Sequence, residues 1–128
     1  MRKMPWSLLL VAILAAPAFG QQDIEQRKID FLIAAIADLH DARFVRNGSE
    51  FDSLRAAGHL RFKFQHGCAR VPTAENFIAD CATASSISGV PYRIRFADGH
   101  TIEAATFLRD KLAAYPAPAR STPGKPGN

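Results

Sequence analysis

The chain has 128 residues, of which 48% are hydrophobic and 22% charged, with a formal net charge of +4 at pH 7. That length carries one small domain and no more. No run of five or more Lys/Arg occurs, which argues against a general nucleic-acid surface.

The opening stretch MRKMPWSLLLVAILAAPAFG reads as a secretory signal peptide over residues 1–20. Arg2 and Lys3 supply its positive start, Leu8 to Ala16 its apolar run, and Ala18-Phe19-Gly20 a small-x-small cleavage site. An uncleaved membrane anchor is the alternative, but the run is short for crossing a bilayer. Arg2 and Lys3 also account for two of the four net positive charges. No cysteine follows the cleavage site, so neither lipidation there nor a stable membrane anchor after cleavage is expected. The expected destination is the periplasm.

From Asp23 to His40, Ile29, Leu32, Ile33, Ile36 and Leu39 recur at helical spacing, with Arg27, Asp30 and Asp38 opposite. Phe44 and Val45 then favour a strand, and Asn47-Gly48 signals a tight turn. Phe51 to His66 returns to helix, with Leu54, Ala57, Leu60 and Phe64 expected inward and Arg55, His59 and His66 outward. Gly67 suits its end. Thr73 is the expected N-cap of a helix running to about Ala84, with Ala74, Phe77, Ile78 and Cys81 on its inner face.

In PYRIRF, Tyr92, Ile94 and Phe96 alternate with Arg93 and Arg95, the period of a half-exposed strand. A turn at Ala97-Asp98-Gly99, a short strand at Thr101 to Glu103 and a helix from Ala104 to Tyr115 complete the domain. The expected class is α+β: a helix-rich small domain over residues 21–115, with about four helices and a short two- or three-stranded antiparallel sheet. Pairing of Phe44–Arg46 with Tyr92–Phe96 is expected. Residues 116–128, PAPARSTPGKPGN with the preceding Tyr115 excluded, read as a flexible Pro/Gly-rich tail.

Cys68 and Cys81 are the only cysteines. In an exported protein such a pair suggests a disulfide, worth about 3 kcal/mol in the chain-entropy picture. A buried free thiol at Cys81 is the competing reading. Neither cysteine has the neighbouring His or Cys of a zinc motif, and the four histidines show no metal spacing, so no metal ligands are expected. The absence of a Walker loop and a dinucleotide fingerprint gives no reason to expect a cofactor.

Four stretches, FVRNG at 44–48, HLRFK at 59–63, TAENFI at 73–78 and SSISGVPY at 85–92, together resemble a group of small exported bacterial proteins, domain of unknown function family 5329. The resemblance spans most of the expected mature domain and implies a periplasmic protein of the Gram-negative envelope. It brings no catalytic residues with it. The cysteine pair departs from the pattern.

Three roles compete for the serines at 85 and 86. They are a helix-to-strand turn, hydrogen-bond donors to an anionic or polar ligand, or a nucleophile served by His59. No Gly-x-Ser-x-Gly elbow or Ser-x-x-Lys pair accompanies them. Arg61 falls about 40° from Ala57 on the helical wheel, beside the apolar stripe. It either pairs with Asp52, Glu75 or Glu103, snorkels outward, or joins Arg46, Arg93 and Arg95 in an anion-binding patch. The leading expectation is a non-catalytic module that binds a polar or anionic envelope ligand, or a protein partner, through Arg46, Arg61, Ser85, Ser86 and Tyr92. The alternatives are a small envelope serine hydrolase or transferase using Ser85 or Ser86 with His59, and a structural assembly subunit.

Overall fold

The computed structural model describes residues 18–68 and 73–116, with side chains from Gly20 onward in the first segment. The expected signal peptide falls almost entirely outside the described residues, as does the expected tail from residue 117 on. The elements run α1 (Ala18–Ala37), β1 (Arg43–Arg46), β2 (Ser49–Phe51), α2 (Ser53–His66), α3 (Ala74–Cys81), β3 (Arg93–Arg95), β4 (Thr101–Glu103) and α4 (Ala104–Ala113). The class is α+β, as the patterning predicts. The sheet has four antiparallel strands in the order β2-β1-β3-β4, rather than two or three.

The additional strand follows from a local signal. Asn47 and Gly48 both take positive φ, 50° and 79°, which are the paired left-handed residues of a two-residue hairpin. Arg46 therefore lies opposite Ser49, and Phe51 returns opposite Phe44 instead of opening the helix. Helix α2 starts later, at Ser53, because Asp52 caps it by accepting a hydrogen bond from the Arg55 N–H at 2.8 Å. Thr73 caps α3 in the same way, accepting from the Asn76 N–H at 3.1 Å. Helix α3 ends at Cys81 rather than near Ala84.

The helices build one core against the sheet. Ile29, Leu32, Ile33 and Ile36 of α1 are buried, as are Phe77, Ile78 and Cys81 of α3 and Phe107 and Leu108 of α4. Each fully buried aliphatic or Phe side chain contributes roughly 1.5–3 kcal/mol of transfer free energy. From the sheet, Phe44 and Ile94 face this core, paired in register across β1 and β3. Past the end of α4, the Tyr115 ring meets Phe31 edge-on at 5.0 Å, tying the end of the domain to α1.

Helix α2 is turned further than its pattern suggests. Ser53, Ala57 and Leu60 are buried, while Leu54, expected inward, is 68% exposed. The inner stripe is centred between Ala57 and Leu60, so Ser53 takes the first-turn inner position that Leu54 would have filled. Arg61, on the same outer flank, is exposed as well, and among the described residues it has no ion pair. Cys68 and Cys81 are bonded, with Cα atoms 6.1 Å apart, so the loop after α2 is fastened to the last residue of α3.

One tertiary contact was not visible in the chain pattern. Glu25 of α1 is buried and its carboxylate accepts from the Ala74 N–H at 2.8 Å, while Lys28 donates to it at 3.2 Å. An acid from one helix thus satisfies an orphan donor at the start of another.

Candidate functional site

Strand parity selects the side chains of the site. Residues two apart on a strand share a face, so Arg46 projects on the same side as the buried Phe44, toward the helices. By the same rule Tyr92 shares the face of Ile94, and Arg93 and Arg95 point the other way. Those two arginines therefore do not join Arg46 in a patch. Arg95 instead pairs with Glu50 across the outer surface at 2.6 Å, and Arg93 lies opposite Glu103 in register.

Between α2, β1 and the start of β3 lies a cavity of about 150 Å³. Ile36, Phe44, Phe51, Leu60 and Ala82 supply most of its wall, and Arg46, Arg55, His59 and Tyr92 its polar groups. No Asp or Glu lines it. The Arg46 Nε is buried without a hydrogen-bond partner among the described residues. A buried donor left unsatisfied costs about 1–3 kcal/mol, more when it is charged. Arg55 lays its guanidinium over the Phe51 ring, 5.2 Å from the centroid.

A short hydrogen-bond chain crosses one side of the cavity. Lys63 Nζ donates to Tyr92 Oη at 3.1 Å and to the Ala84 carbonyl at 3.2 Å. The Tyr92 hydroxyl stands 3.4 Å from His59 Nε2. With Lys63 donating to its oxygen, the Tyr92 O–H is free to donate to a neutral imidazole. The electrostatics agree: burial, then the positive charges of Arg46 and Lys63, push the His59 pKa below 6.5.

That shift fixes the sign of a pH effect. The unfolded chain takes up the histidine proton first as pH falls, so the folded state loses stability from about 6.5 down to the lowered folded value, and no further below it. Melting temperatures measured from about pH 8 to about pH 5 should drop more for the wild type than for His59→Gln. Parallel curves for the two proteins would remove His59 from the titrating groups.

Ser85 is built into the turn that follows α3. Ser85 is 3% exposed, and its Oγ accepts from the Ile87 N–H at 3.3 Å, the Ser88 N–H at 3.4 Å and Asn47 Nδ2 at 3.2 Å. Ser88 Oγ donates to the Asn47 side-chain Oδ1 and accepts from the Val90 N–H. Gly89, at φ +71°, completes this turn, which clamps the 85–90 loop to the β1–β2 hairpin. Among the described residues the hydrogen bond of His59 goes to Tyr92, not to a serine.

Of the five residues expected to bind a ligand, Arg46 and Tyr92 meet at the cavity. Ser85 stands behind it as the prop of the Asn47 turn, while Ser86 and Arg61 are exposed outside the cavity lining. Arg55 and Lys63 are not among the sequence-based candidates, and His59 is one only as a base for a serine. Their signal is a cationic row at four-residue spacing on one flank of α2. A second, wider depression of about 650 Å³ lies by Glu25, Thr73 and Tyr115, but its Glu25 carboxylate is already engaged by Lys28 and Ala74. Among the described residues no group of three or more His, Cys, Asp or Glu side chains could hold a metal ion, and no helix is long and apolar enough to cross a membrane.

The sequence model of a family of unknown function, DUF5329, matches residues 23–116, which takes in every strand, α2 to α4 and most of α1. The chain belongs to this family. A relative, the uncharacterized protein YfeK of Salmonella typhimurium strain LT2, is 36% identical over 85 residues, covering 66% of this chain and 71% of the relative. No solved structure matches the chain.

Proposed function

We propose that this DUF5329 protein is a periplasmic, non-catalytic binding module whose ligand, an anionic or polar envelope component, occupies the α2–β1–β3 cavity. The observation that carries the reading is Arg46: a guanidinium with a buried, unpartnered Nε beside an apolar void that no carboxylate lines. A buried guanidinium N–H is ordinarily partnered, because a donor left unmet costs about 1–3 kcal/mol. A ligand anion supplies the missing partner. Ser85 lends no weight to a hydrolase, since its oxygen already serves three donors.

The test is affinity capture of small molecules from a bacterial envelope extract, followed by mass spectrometry. A compound retained by the wild type should fall about tenfold or more with Arg46→Gln and with Ala56→Leu, which fills the cavity wall. Arg61→Ala, an exposed position away from the cavity, should leave retention unchanged. Equal retention by all four proteins would refute the cavity as the binding site.

A further inference from the structure

We infer that the cavity, taken as the binding site proposed above, accepts a small monocarboxylate whose single ring or short aliphatic chain enters the apolar interior while its carboxylate lies along the Nε edge of Arg46. Size sets the first limit. A largely apolar hollow of about 150 Å³, open to solvent on one side, has room for about one benzene ring, so the part of a ligand that enters it is small. Wall chemistry sets the second. Most of the wall, Phe44, Phe51, Leu60 and Ala82 among it, offers hydrocarbon, which favours an apolar body over the hydroxyls of a sugar.

Charge sets the third. The edge of a guanidinium that includes Nε presents two parallel N–H donors, and a planar carboxylate accepts both at once. In Arg46 that Nε is the buried atom without a partner. The other cations are partly committed: Lys63 is shared between Tyr92 and the Ala84 carbonyl, and Arg55 rests on the Phe51 ring. His59 is held toward its neutral form. Among the described residues Arg46 is the one with a buried side-chain donor left unmet, and its two-donor edge matches a carboxylate. An apolar body and one carboxylate in the same small molecule satisfy all three limits.

Calorimetric titration of the purified protein with phenylacetate, benzoate, hexanoate and 4-methylvalerate tests the class, against 2-phenylethanol, acetate and inorganic phosphate. At least one of the four acids should bind one to one with a Kd of roughly 1 mM or tighter. For phenylacetate or whichever acid binds best, Arg46→Gln should weaken binding about tenfold or more, and Arg46→Lys should also fall short of wild type because it loses the two-donor edge. Neither substitution should alter the weak binding of 2-phenylethanol, which separates loss of the charge contact from loss of the fold. Melting curves of both variants confirm that the proteins compared are folded. Phosphate binding as tightly as the best acid, 2-phenylethanol matching phenylacetate, or no saturable binding by any of the four acids overturns the monocarboxylate class. If envelope capture still yields a compound that depends on Arg46 and Ala56, only this class assignment fails. If capture yields none, the binding-module reading fails with it.

Discussion

Phe77→Ala is expected to lower the unfolding free energy by about 3–5 kcal/mol, much of the stability of a domain this small. Phe77 is 0% exposed, near the middle of α3, and its ring stands edge-on to Phe64 of α2 at 5.7 Å. Helix α3 packs against α1, α2 and α4, so the void left by a missing ring opens among four helices and cannot be closed by moving one of them. Urea unfolding followed by far-UV circular dichroism measures the effect. Phe77→Leu, which retains most of the buried hydrocarbon, should cost less than the alanine change. A loss below about 1 kcal/mol for Phe77→Ala would mean that the centre of the core lies elsewhere.

Breaking the Cys68–Cys81 bridge should cost about 3 kcal/mol, enough to lower Tm by roughly 10 °C or more in a domain of this length. The bond closes a separation of 13 residues and fastens the chain leaving α2 to the end of α3. Its removal enlarges the unfolded ensemble, since a large part of the native packing survives without it. The comparison is between oxidised protein, reduced protein and Cys68→Ser, with thiol titration of the denatured, unreduced wild type confirming the starting state. Tm values within about 2 °C of one another would show that the bridge adds little to the surrounding contacts. Cys68→Ser is the better variant of the two cysteines, because Cys81 is fully buried and a hydroxyl there would bring a desolvation cost of its own.

Much of the fold is legible from short-range chemistry. The spacing of Ile29, Leu32, Ile33 and Ile36 marks the buried face of α1, and Thr73 announces the start of α3. Tyr92 and Ile94 are buried while Arg93 and Arg95 are exposed, as their alternation implies. The hairpin was half legible. Asn47-Gly48 declares the turn, yet Phe51 reads as the start of the helix rather than the end of a strand, because three residues are too few for a period-two pattern to assert itself. Leu54 misled for a related reason. An apolar residue in the first turn of an amphipathic helix has no fixed direction until neighbours define which side is inside.

The candidate site was legible only in part. Arg46 and Tyr92 are legible as polar members of the FVRNG and SSISGVPY stretches. Ser85 and Ser86 stood out as a cluster of hydroxyls, but such clusters serve turns as readily as ligands, and here the hydroxyl of Ser85 is spent on the backbone of its own loop. His59 and Lys63 gain their significance from Tyr92, some thirty residues away, through contacts at 3.4 Å and 3.1 Å. No local pattern encodes that meeting.

The sequence by itself determined that there are four helices, which faces of β1 and β3 turn inward, and the Thr73 cap, because each depends on backbone preference or on a periodicity within a few residues. Only the tertiary structure decided that Arg46 enters a cavity without a carboxylate, that Glu25 serves α3, and that Arg61 remains in solvent. Those outcomes depend on how far α2 is rotated and how closely it approaches the sheet. Both follow from the packing of the whole core, where side chains from Ile36 to Ala104 must fit around one another at once.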